Sequence, residues 1–387
     1  MRILEFIKQN CENVEFRALG EVCEIKRGRV ISKDYLSKHQ GSYPVYSSQT
    51  ANDGIFGLID TYDFDGDYVT WTTDGQYAGT VFYRTGKFNI TNVCGLLKNK
   101  IDDLNLKFLY YFLALNAVKH VNKGMGNYKL MSNVIANIKI PLPPMVVQER
   151  IVEVLDSFTS LERSLEREKL AREKQYKYYL NHLITNAKNS RILKLGEVAK
   201  IITGSTPSKS NAEFYGGEIP FYKPADLNFG YYVENSADKI SKKGYEISRK
   251  LPEKSILVTC IGATIGKVGF IRKAGICNQQ INAVLPNENF IPEYIYFCLI
   301  SDIFQGYIKK YKTSSTMPIL NKTNFEKLEI PLPPLDEQER IVRILDSLNE
   351  LANGLSAGIP KEIELRQKQY EYWRDRLLEF PSKDSKW

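Results

Sequence analysis

The sequence predicts an α+β protein made of two similar globular domains separated by two long antiparallel helices, a coiled-coil spacer, with a pseudo-twofold internal repeat. Three observations carry that expectation. Ile140-Pro141-Leu142-Pro143-Pro144 returns 190 residues later as Ile330-Pro331-Leu332-Pro333-Pro334, and Gln148-Glu149-Arg150-Ile151-Val152 returns at the same displacement as Gln338-Glu339-Arg340-Ile341-Val342. Each block leads into a stretch with apolar residues at helical spacing. Each is preceded by a glycine- and tyrosine-rich middle that opens on Leu-Gly-Glu-Val. A match of this length at one displacement marks a duplicated unit.

In chain order, Leu4, Asn10 and Asn13 correspond to Leu180, Asn186 and Asn189, so the N-terminus resembles the end of the first long helix and the arrangement looks circular. Leu19-Gly20-Glu21-Val22 corresponds to Leu195-Gly196-Glu197-Val198, and Gly75 and Gly79 to Gly262 and Gly266. Between these landmarks the copies diverge. Lys26-Arg27-Gly28-Arg29 faces Ile202-Thr203-Gly204-Ser205, and Trp71-Thr72-Thr73-Asp74 faces Val258-Thr259-Cys260-Ile261. Common connectors with different surfaces suit two recognition modules with different targets. The predicted boundaries are a first domain over 1–144, a first helix over 145–190, a second domain over 191–334 and a second helix over 335–387.

The first helix is predicted from Ile151, Leu155, Phe158, Leu161 and Leu165, whose steps of three and four form one stripe. Ile341, Leu345, Leu348, Leu351 and Leu355 repeat it. No glycine or proline interrupts 145–187, so this helix can reach roughly 60 Å at 1.5 Å per residue. Its charge-dense middle, Glu162 to Lys174, suits a solvated helix. Gly354, Gly358 and Pro360 predict a break in the second helix near 354–360, because proline starts a helix more easily than it continues one.

Composition bounds the function. Apolar content of 43% and charged content of 25% describe an ordinary globular chain, and 387 residues suffice for two cores. No apolar run approaches the roughly 20 residues of a membrane span, and the N-terminus lacks the pattern of a signal peptide. Six scattered cysteines predict reduced, mostly buried thiols in a cytoplasmic protein. Three histidines, none at ligand spacing, predict no metal site. The net charge of +8 suits nucleic acid and ordinary surface charge equally, and 24 tyrosines favour a binding surface.

Enzyme motifs fail on inspection. Gly262-Ala263-Thr264-Ile265-Gly266-Lys267-Val268 is one residue short of a phosphate-binding loop and has Val268 where magnesium needs Ser or Thr. Glu24-Ile25-Lys26 has a spacing found in some nucleases, but Lys200-Ile201-Ile202 replaces it in the second copy. The Pro-Pro pairs lack the asparagine of amino-methyltransferase motifs. Catalysis by this chain is therefore not expected.

Taken together, the two Pro-Leu-Pro-Pro-x-x-x-Gln-Glu-Arg-Ile-Val blocks, the Lys-Gln-Tyr-x-Tyr runs at Lys174 to Tyr178 and Lys368 to Tyr372, the Leu-Gly-Glu-Val entries, Lys26-Arg27-Gly28 and Gly204-Ser205-Thr206-Pro207 resemble the specificity subunit of type I restriction-modification enzymes over essentially the whole chain. The resemblance implies a non-catalytic DNA-binding subunit. Each target recognition domain would read one half of a bipartite, asymmetric double-stranded DNA site. The helices would fix the gap and carry methyltransferase subunits that bring S-adenosylmethionine. Motor-nuclease restriction subunits would add ATP- and magnesium-dependent cleavage. A non-catalytic coiled-coil adaptor that binds proteins, and an independent nuclease or methyltransferase, are the competing readings.

Candidate DNA contacts in the first domain are Lys26, Arg27, Arg29, Tyr46, Ser48, Gln49, Trp71, Thr73 and Tyr77, with a basic loop at Lys123, Asn127, Tyr128 and Lys129. In the second they are Ser205, Thr206, Lys209, Tyr222, Lys223, Thr264 and Lys267, with a second basic loop at Lys309, Lys310, Lys312, Ser314 and Thr316. Lysine and arginine are chosen for phosphate contact, and the polar and aromatic residues for base edges and backbone.

Overall fold

The structure, a computed structural model, describes residues 3–124, 126–227, 232–313, 317–354 and 358–381; the predicted positions Ser314, Thr316 and Leu355 lie outside them. The chain divides into two compact units, 1–163 with 365–387, and 164–364. The domains are α+β, and the duplication read in the sequence reappears as duplicated hydrogen bonding.

Each domain begins by pairing its entry with its exit. Strand Glu15–Ala18 runs antiparallel to Lys139–Leu142, and Arg191–Lys194 runs antiparallel to Glu329–Leu332. The register is equivalent, with Arg17 opposite Ile140 and Leu193 opposite Ile330. Leu19 N then donates to Ile138 O at 2.9 Å, and Leu195 N to Leu328 O at 2.8 Å. The first domain carries a sheet ordered Cys23–Arg27, Cys94–Asn99, Tyr68–Thr72, Val81–Arg84, and another ordered Ile55–Ile59, Gln40–Tyr46, Lys87–Ile90, Phe64–Asp65. The second carries a sheet ordered Ala199–Thr203, Ile281–Pro286, Ile256–Thr259, Val268–Ile271, Tyr232–Val233, and another ordered Asp238–Ile240, Tyr215–Tyr222, Ile276–Cys277.

The duplicated glutamine explains why its motif recurs. Gln148 is fully buried where the Pro-Pro turn enters the helix, and its amide donates to Asp103 O and Pro143 O at 2.8 Å each. Its Oε1 accepts from Asn105 N at 2.9 Å. Gln338 donates to Pro333 O at 2.9 Å and accepts from Ile291 N at 3.3 Å. One side chain thus satisfies backbone groups that no helix or strand pairs. Gln148→Leu strands them, and should lower stability by about 3 kcal/mol in urea unfolding, since each buried orphan costs about 1–3 kcal/mol. No loss would show that water or rearrangement replaces the amide.

The first long helix runs Met145–Thr185 and the second is broken as expected, into Leu335–Asn353 and Ile359–Leu377. The first ends short of residue 190, and Asn189 past its end takes a left-handed φ of 54°. In the first unit, Val147, Ile151 and Leu155 share a core with Tyr370, Trp373 and Leu377 from the end of the second helix. In the second, Leu180 and Ile184 share a core with Ile341 and Leu345. In the first unit the paired segments run antiparallel, since 147–155 shares its core with 370–377 while Gln367 donates to Glu162 at 2.7 Å. The predicted stripe is buried unevenly. Ile151, Leu155, Ile341 and Leu345 are fully buried and Leu165 nearly so. Phe158 and Leu348 are half-buried, and Leu161 and Leu351 are 39% and 42% exposed. The buried part of the stripe packs on a domain as well as on a helix, and at the level of Leu161 the helices meet through the polar Gln367–Glu162 contact.

All six cysteines are buried free thiols. Burial pushes Cys11 up to about 11 and Cys23, Cys94, Cys260, Cys277 and Cys298 up to about 12. Because the thiolate is the reacting species, an alkylating agent at pH 8 should modify the native chain slowly and the urea-unfolded chain rapidly at all six positions. Fast native labelling would contradict the burial.

Candidate nucleic-acid interface

Both domains build the same turn on the same strand pair. In the first, Tyr68–Thr72 turns through Gly75 and Gly79 into Val81–Arg84. In the second, Ile256–Thr259 turns through Gly262 and Gly266 into Val268–Ile271. The four glycines have φ of 93°, 86°, 100° and 93°, a left-handed conformation that β-carbons oppose. Gly79 N donates to Thr72 O at 2.8 Å and Gly266 N to Thr259 O at 2.9 Å.

A strap then crosses each turn. Leu130 N donates to Thr73 O at 2.9 Å and Gly75 N to Tyr128 O at 3.0 Å. In the second domain Leu320 N donates to Cys260 O at 2.8 Å and Gly262 N to Pro318 O at 3.0 Å. The first predicted basic loop is therefore part of a defined site. Asn122 and Lys129 bridge each other, Asn127 Oδ1 accepts from Gly75 N at 3.0 Å, and Lys123, Asn127, Tyr128 and Lys129 are exposed. Tyr77 stands beside them, 53% exposed.

Arg27 closes the side of this turn. It donates from Nη2 to Thr73 Oγ1 and from Nε to Asn92 O, both at 3.0 Å, and lies 3.9 Å from the Asp74 carboxylate. Thr73 in turn donates to Asp74 at 2.6 Å. Arg29 pairs with Asp63 at 2.9 Å and Lys26 with Glu24 at 3.2 Å; both remain partly exposed, and pairs of this kind hold their partners weakly. Ser48 and Gln49 are half-buried, and the Gln49 amide donates to Ile55 O.

Four predicted contacts are not on the surface. Trp71 and Thr73 are fully buried, Tyr46 is 9% exposed and Tyr222 is fully buried. Trp71 Nε1 donates to Leu130 O at 2.9 Å, and Tyr222 OH to Lys273 O at 2.9 Å. Trp71 and Tyr222 spend their aromatic faces on the core and their polar atoms on backbone carbonyls, and the Thr73 hydroxyl is taken up by Arg27 and Asp74.

In the second domain Ser205 accepts from Arg249 N at 3.2 Å, and Thr206 bonds to Gln279. Lys209 is exposed and Lys223 pairs with Asp238. Thr264 and Lys267 line a cavity of about 580 Å³ with Tyr176, Tyr296, Asp302 and Asn349. The second basic loop needs correction. Lys309 and Lys310 form the last turn of helix Asp302–Tyr311, and Lys312 caps it. Phe304 and Ile308, four residues apart and buried, hold that segment helical. All three lysines are exposed.

Sequence reasoning missed Asp74 and Asn92 as partners of Arg27, and it missed Arg249. Arg249 donates to Thr203 O at 2.7 Å, beside the strand end where the first domain has its own Arg27. Only the contrast of Arg27 with Thr203 hinted at a second arginine.

The family model for the type I restriction modification DNA specificity domain matches residues 11–172 and again 187–365. The chain belongs to that family. It is 36% identical over 370 residues to a putative type I specificity subunit of Mycoplasma pneumoniae, covering 94% of this chain and 96% of that one. It is 34% identical over 302 residues to the specificity subunit of a type I restriction enzyme of Escherichia coli, covering 72% of each. The crystal structure of a type I restriction-modification S subunit from M. genitalium shares the fold, with a TM-score of 0.58, 15% identity and 96% of both chains covered. The two matched segments each contain one turn, one strap and one buried glutamine. Among the described residues no helix is long and apolar enough to cross a membrane.

Proposed function

We propose that this specificity subunit reads a bipartite, asymmetric DNA site, one half per domain, and performs no chemistry itself. The observation that carries the proposal is one backbone frame bearing two chemistries. The bonds Leu130–Thr73 and Gly75–Tyr128 recur as Leu320–Cys260 and Gly262–Pro318. The tips between them are Asp74, Gln76 and Tyr77 in one domain and Ile261, Ala263 and Thr264 in the other. Carboxylate and amide groups suit the amino and ring-nitrogen edges of bases, and aliphatic groups suit the thymine methyl. Exposed lysines on each strap or neighbouring helix suit phosphate, which fixes register without reading sequence.

The long helices would set the separation of the readers and carry the methyltransferase subunits, which supply S-adenosylmethionine. Restriction subunits would supply ATP- and magnesium-dependent cleavage. The test is an exchange of residues 200–330 for the corresponding segment of another family member, expressed with the methyltransferase. One half of the methylated motif should change, while the other half and the gap persist. A change in both halves, or in neither, would refute a one-domain, one-half assignment.

A further inference from the structure

Arg84 is a buried charge with no counterpart in the second domain. It is 3% exposed, with its guanidinium 3.6 Å from the ring centre of Tyr46 and 4.2 Å from that of Phe82. Nη1 donates to Asp53 Oδ2 at 2.8 Å and Nη2 to Asp53 O at 2.7 Å. Nε finds no partner among the described residues. The equivalent position is Ile271, fully buried in an apolar cluster with Tyr222, the counterpart of Tyr46. A buried guanidinium is costlier than an aliphatic side chain, and the second domain shows that the frame does not require it.

What Arg84 grips is a strained turn. Asn52, Asp53 and Gly54 have φ of 51°, 52° and 75°, three left-handed residues in succession. Asparagine and aspartate enter this region more readily than other L-residues, yet two in succession still carry a cost that the surroundings must hold. Ser47 N donates to Gly54 O at 3.3 Å at the base of the turn, and Thr91 Oγ1 donates to Ser47 Oγ at 3.0 Å. A β-carbon on Gly54 would fall 2.9 Å from Arg84 Nη2 and 3.1 Å from Gln49 O, so the guanidinium lies directly against the turn. Above this clamp Ala51, Asn52 and Asp53 stand exposed. A rigid, strained platform under an exposed asparagine is a means of aiming that side chain.

We infer that Arg84 is a positioning residue that fixes the 50–54 turn so that Asn52 reads a base edge in the first domain's half-site. This rests on the proposal that the domains read DNA. Asparagine can pair with both N6 and N7 of adenine, which makes adenine the base expected at that position. Lysine cannot reproduce the two-pronged grip on Asp53.

The experiment uses the full chain with its methyltransferase partner and measures methylation rates on duplexes carrying single base changes across both half-sites. Asn52→Ala and Arg84→Met should each lose about tenfold discrimination at one and the same base pair, within the range of a bidentate base contact. Arg84→Lys should recover part of it, and the profile across the second half-site should not move. Thermal unfolding is recorded in parallel. Should Arg84→Met not fold, Asp53→Ala removes one prong of the grip from the exposed side and should produce the same selective loss. Folded variants with wild-type discrimination at every position, or a loss spread over both half-sites, would overturn the inference. If the unsubstituted complex shows no base preference in the first half-site, the DNA-reading proposal itself fails, a result distinct from either.

Discussion

Replacement of Trp71 by alanine should destabilise the first unit by about 3–5 kcal/mol, the range for emptying a large aromatic site in a core. Trp71 is fully buried, and its ring packs so closely on Gly95 that a β-carbon there would lie 2.1 Å from Trp71 Cη2. The substitution also strands Leu130 O, which accepts from Nε1 at 2.9 Å. Trp71→Phe separates the two contributions, because it keeps most of the volume and loses the bond, and it should cost about 1–2 kcal/mol. Calorimetry of both variants measures the difference. The consequence extends to function, because Leu130 N bonds to Thr73 O and so ties the strap to the turn. Loosening Leu130 should weaken DNA binding at temperatures where the domain is still folded. A stable Trp71→Ala variant would return this residue to the surface role expected from sequence.

The second large effect is electrostatic. With some 6–10 phosphates neutralised, affinity for DNA should fall by roughly 10³–10⁵ between 50 and 200 mM salt. The exposed lysines of the two domains, Lys123 and Lys129 in one and Lys309, Lys310 and Lys312 in the other, are the residues assigned to that contact. Lys123→Ala with Lys129→Ala should therefore lower the slope of log affinity against log salt by roughly 1.8, about 0.9 per phosphate contact. It should weaken binding evenly across sequences, unlike the selective loss expected for Asn52→Ala. Gel shift of the complex with its methyltransferase, at four salt concentrations, reads the slope. Salt-independent affinity, or none, would favour the adaptor reading. An unchanged slope in the double variant would place the phosphate contacts elsewhere.

The repeat made the frame legible. Equal displacements aligned Gly75 and Gly79 with Gly262 and Gly266, and the structure gives all four the same left-handed geometry. Gln148 and Gln338 could be matched as letters, but their burial under the proline block could not be read, because polar residues at helix starts are usually solvated. The break before Pro360 was visible because proline and glycine act locally. The candidate interface was less legible. Trp71, Thr73, Tyr46 and Tyr222 looked like binding residues by type, yet Trp71 lies in a strand buried from Val69 to Thr72, Thr73 just past its end, and Tyr46 and Tyr222 at the buried ends of theirs, and the sequence carries no alternation to warn of it. Lys309 and Lys310 read as a loop because their charges drew more notice than the Phe304–Ile308 spacing that makes them helical. Arg84 left no local trace, because its meaning lies in a pairing with Asp53 across 31 residues of chain.

The proposed function requires two unlike readers held at a set separation along one duplex. Methylation mapping of DNA from cells expressing this chain with its methyltransferase tests it most directly. The expected result is a split motif, two dissimilar half-sites with one constant gap. A continuous motif, or half-sites at variable spacing, would contradict it.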